Sequence, residues 1–212
     1  MARLEKGLLN GFSGVIGNLE GYEQEGQYII RSRRPKRLKP SSEKQLACME
    51  RMRIVNRLLG RFSEFVKIGF AKIAKDQSYR AYNAAVAYQL THAIIGSYPN
   101  YEIDYSKLRV AEGMINTDGL SPSVSLEGDV LLFSWTPATY YPNSTDHVML
   151  LAYAPALKHA VYNLCGAKRR IGQETLELPE TWRQQRIETY MAFRGENNGQ
   201  YSNSIYTGGL NL

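Results

Sequence analysis

The chain has 212 residues, and its 26 Lys+Arg against 20 Asp+Glu give a formal net charge of +6. At 43% hydrophobic and 22% charged it is neither a disordered nor a fibrous sequence, and no run approaches the ~20 apolar residues of a membrane-spanning helix. The first thirty residues are broken by glycine and carry acids, so no secretory leader is expected, and Cys48 and Cys165 are too few for a disulfide framework; these features predict synthesis in the cytoplasm and no membrane insertion.

The charge is unevenly placed. Residues 1–80 hold 17 basic and 8 acidic side chains, and residues 31–61 alone hold 11 basic against 2 acidic. The basic character belongs to one segment, which suits a polyanionic or acidic partner.

The first element in chain order is a glycine-punctuated stretch, with Gly7, Gly11, Gly14, Gly17, Gly21 and Gly26 spaced three to five apart. Each glycine costs ~1 kcal/mol relative to Ala in a helix, whereas turns and close backbone approaches favour it. Two short strands, Gly14–Leu19 and Gln27–Arg31, are therefore expected as a hairpin-like arm. So few apolar side chains cannot enclose a core, so the arm must lean on the rest of the chain or on a neighbour. Gly11, Phe12, Ser13, Gly14 and Gly17 are its candidate self-association residues.

Arg31-Ser-Arg-Arg-Pro-Lys-Arg-Leu-Lys-Pro40 follows, held extended by Pro35 and Pro40. Ser42 with Gln45 makes a capping-box start. The apolar spacing from Leu46 to Ile73 then predicts an amphipathic helix interrupted near Gly60 and near Gly69. A second, Ala-rich helix is expected over Ser78–Ile95, stopping at Gly96 and pairing antiparallel with the first. Arg53, Arg57 and Arg61 recur at i, i+4 and i+8 as one helical stripe. With Arg31, Arg33, Arg34, Lys36, Arg37 and Lys39 they form a candidate polyanion-binding surface, whose affinity would be sequence-blind and salt-sensitive.

After Tyr98-Pro99-Asn100 the apolar period changes to two. Tyr101–Tyr105 and Leu108–Met114 read as strands, and Asn116–Pro122 as a break between domains. Short apolar runs then recur at Val130–Trp135, His147–Tyr153, Ala160–Leu164, Thr175–Leu178, Glu188–Phe193 and Ser202–Tyr206. That spacing predicts an antiparallel sandwich. Trp135, Leu150, Tyr190 and Phe193 are expected to face one core, with Leu176 and Leu178 beside it. The fold class expected is α+β: a β arm with basic linker (1–40), a helical pair with following strands (41–116) and a C-terminal β-sandwich (117–212).

Two resemblances extend this reading. Trp135-Thr-Pro137, Leu176-Glu-Leu178-Pro179 and Thr189-Tyr190-Met-Ala-Phe193 make the last ninety residues similar to a fibronectin type III/Ig-like sandwich. The Gly11–Gly14 arm, Arg31–Lys36, Gln45–Ala47 and Tyr98–Lys107 make the whole chain resemble an uncharacterised bacterial family of unknown function. That resemblance implies a helical insert and a sandwich, and brings no activity or catalytic residues.

No catalytic or metal constellation stands out. His147 follows Asp146 at a strand start, where adjacent side chains face opposite ways. His159 and Cys165 lack a third orienting group, His92 sits in the Ala-rich helix, and there is no CxxC or HxxxH spacing. No cofactor is expected. The sequence reads as a non-enzymatic structural or assembly protein, a homo-oligomer associating through its arm and sandwich surfaces in a virion-like or surface assembly. The fifteen tyrosines suit such contact surfaces or the sandwich core. The competing reading is sequence-nonspecific nucleic-acid binding through residues 31–61, or contact with an acidic protein surface.

Overall fold

The computed structural model describes residues 12–24, 26–35, 40–75, 77–140, 143–196 and 199–212. The chain divides into two compact units, Met1–Ser42 and Glu43–Leu212. Gly11, Lys36, Arg37, Lys39 and Tyr141 lie outside the described residues.

The first unit carries a three-stranded antiparallel meander of β1 (Gly14–Ile16), β2 (Leu19–Gln24) and β3 (Gln27–Ser32). Three strands replace the two expected, because the tight turn at Gly17-Asn18 splits the first; Gly17 has a φ of +57°, a region open to glycine without a side-chain clash. Gly21 is needed for a different reason. Phe12 lies over it, and a β-carbon there would come within 2.8 Å of the phenyl Cε2.

The second unit begins with α1 (Glu43–Leu59), directly after Ser42 where the cap was expected. A 3₁₀ turn at Gly60–Phe62 and α2 (Ser63–Gly69), followed by α3 (Ala71–Ala74), realise the interruptions at Gly60 and Gly69. Gly69 lets the end of α2 approach the backbone at Val110 and Ala111 closely: a β-carbon would fall 2.7 Å from the Val110 carbonyl oxygen. The Ala-rich helix α4 spans Ala81–His92, shorter than expected. Ile94 and Ile95 leave it to form β4 (Ile94–Ser97), which pairs with β5 (Asn100–Ile103) around the cis Tyr98–Pro99 bond. β-Branched isoleucines serve a strand as readily as a helix end.

Residues 105–114 are not a strand. Asp104 caps a 3₁₀ turn at Tyr105–Lys107, accepting from the Ser106 N–H at 3.1 Å. Beyond it the backbone bonds to side chains and loops instead of a ladder. Arg109 N–H donates to the Gln89 side chain, Val110 N–H to Ser204 Oγ and Glu112 N–H to the Gly69 carbonyl.

Seven strands follow: β6 (Ser123–Glu127), β7 (Val130–Ser134), β8 (His147–Ala154), β9 (His159–Asn163), β10 (Gln173–Glu177), β11 (Arg186–Arg194) and β12 (Ile205–Asn211). They form two antiparallel sheets, ordered β10-β7-β6 and β12-β11-β8-β9. β6 was not foreseen, since Ser-Val-Ser-Leu-Glu carries only two apolar residues. β12 overlaps the expected Ser202–Tyr206 strand only at Ile205 and Tyr206 and runs on to Asn211, because Tyr201 and Ser202 make only isolated bridges, to Arg194 and Ile115.

Two cores result, one on each face of the four-stranded sheet. Between the sheets lie Leu131, Phe133, Trp135, Val148, Leu150, Ala152, Leu176, Met191 and Phe193, with Leu178 at the margin. On the opposite face, Met149, Leu151, Tyr153, Tyr190 and Ala192 pack against Val55, Leu59, Phe62, Phe65 and Val66 of the helical segment and Ala85 of α4. Tyr190 therefore faces the helices, away from the core it was expected to share with Phe193. Three positions apart on a strand, the two must face opposite ways. The break expected at Asn116–Pro122 falls inside the second unit, whose helices and sheets are joined by the shared core.

Replacing Trp135, buried and edge-on to Phe193 at 5.7 Å, with Ala should cost ~3–5 kcal/mol. Because helices and sheets share a sheet face, helical ellipticity at 222 nm and Trp182 fluorescence should be lost together in denaturant. Helical signal surviving after the fluorescence transition would refute that coupling.

Candidate interaction surfaces and a buried charge pair

The register of the arm decides which side chains share a face. Gly21 pairs with Ile30, Glu23 with Tyr28, Leu19 with Ser32 and Ile16 with Leu19. Since directly paired residues point the same way, one face carries Ile16, Leu19, Tyr28 and Ile30 together with Glu23 and Ser32, and Phe12 lies on it over Gly21. Ile16, Leu19, Tyr28 and Ile30 are exposed, at 51, 46, 44 and 54% of their surface. The other face mixes Val15, Tyr22 and Ile29 with the charged pair Glu20 and Arg31, and Val15 is exposed there as well. Arg31 donates to Glu20 at 2.9 Å and lies 5.1 Å above the Tyr22 ring. Of the arm residues singled out from sequence, Phe12 packs on Gly21, while Ser13, Gly14 and Gly17 sit at the start and turn of the meander. The four exposed side chains were missed, and their alternation across the hairpin was the signal.

The basic residues divide. Arg31 is committed to Glu20, whereas Arg33 and Arg34 are exposed. On α1, Arg53 pairs with Glu50 at 2.6 Å. Arg57 and Arg61 are exposed and form no ion pair among the described residues, and Arg61 stands on the 3₁₀ turn instead of the helix. The stripe is therefore two free guanidinium groups and one paired.

The histidines and cysteines do not assemble into a reactive group. His92 stacks on Tyr88 at 4.3 Å, His147 Nδ1 lies 2.8 Å from the Gly166 carbonyl oxygen, and His159 packs edge-on to Trp182. Cys48 and Cys165 are free and exposed. Among the described residues no group of three His, Cys, Asp or Glu side chains could hold a metal ion, and no helix is long and apolar enough to cross a membrane.

A cleft of about 420 Å³ between the end of α4 and residues 106–109 is lined by Tyr88, His92, Lys107, Arg109 and Tyr206. Its cations are already compensated. Lys107 pairs with Asp104 at 3.2 Å, and Arg109 lies 3.6 Å from Glu112 and 4.4 Å above the Tyr88 ring. The tyrosines nearby brace helices and sheet: Tyr190 donates to the Tyr105 carbonyl at 2.8 Å and Tyr206 to Glu188 at 2.6 Å. Burial, then the neighbouring charges, push the Tyr105 hydroxyl up to about 12. Seven of the tyrosines thus belong to the helix-facing core or its margin, and Tyr140 is the prominent exposed one.

The most unusual chemistry lies at one end of the sandwich. Asp146 and Arg169 are both buried, at 3 and 5% exposure. Arg169 donates Nη1 to the Asn116 carbonyl at 2.8 Å, accepts Trp135 Nε1 on its own carbonyl and lies 5.0 Å over the Phe193 ring. Asp146 Oδ2 and Arg169 Nε have no hydrogen-bond partner. Burial raises the Asp146 carboxyl against the pull of Arg169 and His147, and burial also lowers the Arg169 guanidinium against the pull of Asp146. Desolvation leads in both, so the pair orders the loops around Asn116 and Trp135 without adding net stability.

The arrangement is that of an α+β protein with a covered antiparallel sandwich and a separate small sheet, lacking a marked reactive centre among its described residues. The chain belongs to the family of unknown function DUF6266, whose sequence profile matches residues 11–208. No curated protein and no solved structure matches it.

Arg169→Met should destabilise the second unit by about 3 kcal/mol, because it strands a buried carboxylate. Its removal drives the already raised Asp146 carboxyl higher still, so the native state holds that proton to higher pH than the unfolded chain. The penalty of Arg169→Met should therefore be fully present near pH 8 and shrink as pH falls through the raised native value. Adding Asp146→Asn should recover most of the loss at pH 8. Urea melts of the parent and the two variants at pH 4.5 and 8 check both statements; a penalty that grows on acidification would overturn them.

Proposed function

We propose that this chain is a non-enzymatic assembly subunit that self-associates through its N-terminal arm. The apolar face of the arm carries the reading. A three-stranded sheet needs a packed face to be stable in water, and Ile16, Leu19, Tyr28 and Ile30 stand exposed while the reverse face has its own ion pair. Exposed apolar side chains gathered on one face, unlike scattered ones, mark an interaction site. The second unit has its own apolar cores on both faces of its four-stranded sheet and needs no cover from the arm. Its strands fit a fibronectin type III-like sandwich: the first, second and fifth pair in one sheet, and the fourth, third, sixth and seventh lie in that order in the other. A place in a virion-like or surface assembly, with the sandwich surfaces as further contacts, suits this division into body and connector.

Polyanion binding is the second reading, favoured by Arg57 and Arg61, which project from α1 and its 3₁₀ continuation with no carboxylate partner among the described residues. It puts nucleic acid or an acidic protein surface against that helix, and residues 31–39 beside it in sequence.

Tyr28→Ser with Ile30→Ser should leave the melting temperature of the second unit unchanged and lower the mass seen by light scattering from oligomer to monomer. An unchanged oligomer mass would remove the arm face from the interface. Arg53→Gln, Arg57→Gln and Arg61→Gln together should leave stability within ~1 kcal/mol, since exposed charges contribute little. If the helix meets a polyanion, the slope of log K against log salt should flatten by about 2–3, at ~0.9 per lost phosphate contact. Titration with a fluorescent oligonucleotide at several salt concentrations reads that slope, and an unaltered slope would clear α1 of the role.

A further inference from the structure

The hydrogen bonding of the arm singles out one strand edge and one partner for it. In an antiparallel ladder, opposed residues alternate between pairs that exchange backbone bonds and pairs that do not. β2 and β3 are joined by a two-residue turn between Gln24 and Gln27, and Arg33 N–H donates to the Asn18 carbonyl at 2.7 Å. Counting from either end, the exchanging pairs are Asn18/Arg33, Glu20/Arg31, Tyr22/Ile29 and Gln24/Gln27. Tyr28, Ile30 and Ser32 therefore turn their N–H and C=O groups outward, away from β2. They are the same residues whose side chains lie on the apolar face.

Proteins ordinarily blunt such an edge with a proline, a bulge, a short strand or an inward charge. The other edge of this sheet is blunted by length, since β1 has three residues. In the second unit β12 is irregular, with a register shift opposite Thr189/Tyr190 and Gly208 at a φ of +120°. β3 has six residues in unbroken register, no proline, and a single charge, Arg31, already neutralised by Glu20 on the opposite face.

We infer that β3 pairs antiparallel with β3 of a second copy of this chain, in a register centred on Ile30. The inference rests on the arm-mediated self-association proposed above and names its contact. Ile30 then lies opposite Ile30 of the second copy and Tyr28 opposite its Ser32. Arg31 falls opposite Ile29, so no two arginines meet. The outward N–H and C=O groups of Tyr28, Ile30 and Ser32 from each copy give six backbone bonds. The two apolar faces merge into one side of a six-stranded sheet, with Leu19 and Ile16 continuing it outward. What lets one strand serve as its own partner is complementarity about Ile30: the large Tyr28 meets the small Ser32, and the charged Arg31 meets the neutral Ile29.

The test uses the full chain with Cys48→Ser and Cys165→Ser, at about 100 µM. Ile30→Pro removes an outward N–H without touching a β2–β3 bond, and prolines are tolerated at such edge positions. The expected result is a dimer or larger even-numbered species by light scattering for the parent, and a monomer with unchanged far-ultraviolet dichroism for Ile30→Pro. Should that variant lose the arm's dichroism, Ile30→Cys decides: mild oxidation should convert most of it to covalent dimer, and Ile29→Cys, facing the other side and not opposite its own copy, should convert several-fold less. An associated parent whose Ile30→Pro variant remains folded and associated, or whose Ile30→Cys variant crosslinks no better than Ile29→Cys, overturns the strand pairing while leaving arm association standing. A parent that is monomeric throughout overturns both.

Discussion

β8 and β11, paired over seven residues from Glu188↔Tyr153 to Arg194↔His147, run through the middle of the second unit with apolar contacts on both faces. One face of the pair is covered by β7 and β10, the other by the helices. Everything else in the unit is arranged by that double cover. The α1–α4 layer exists as a stable element because its apolar stripe has this sheet to lie on, since isolated short helices are marginal in water. The 105–114 stretch must run irregularly because it passes between the helices and the sheet, taking its hydrogen bonds from Gln89, Ser204 and Gly69. Two polar groups needed in that layer, Tyr190 and Glu188, are each given a partner, in the Tyr105 carbonyl and in Tyr206 with Arg186.

The same pair of strands explains which parts of the fold could be read from sequence. Helix interruptions at Gly60 and Gly69 were visible because glycine breaks a strong 3.6-residue pattern. Most of the later strands were visible as short apolar runs between turns. The partner of each face was not. Val148–Ala154 is apolar without interruption, and a strand buried on both faces reads that way. Taken as one half of an ordinary sandwich, it hides the helical cover, and with it the side on which Tyr190 falls. Parity alone, 190 against 193, would have separated the two residues. Residues 108–114 misled for the opposite reason: Leu108, Val110 and Ala111 are buried by contacts on several sides, so their spacing carries no strand signal.

The site was less legible than the fold. Glycine density announced an arm, and it drew attention to Gly14 and Gly17, which shape the turn, in place of the side chains that stand free. Those side chains share a face only once the register of three strands is known. The basic stripe suffered from counting charges without their partners. Glu50 stands one turn before Arg53, and Glu20 reaches Arg31 only across the hairpin. Asp146 and Arg169, twenty-three residues apart, come together where two loops meet at the mouth of the sandwich, a coincidence no local pattern contains.

The unequal lengths of the arm's two edges bear on symmetry. An interface in which a surface meets its own copy is isologous and closes at two subunits; an interface between different surfaces is heterologous and propagates. β1, three residues long, offers little for a further strand to grip, so a sheet growing through the arm has one usable side per copy. Under the β3 pairing proposed above, the arm would close at two copies and would not propagate into a filament. Any larger lattice would have to be made by a separate surface of the second unit, and the arm would set the even count of its building block.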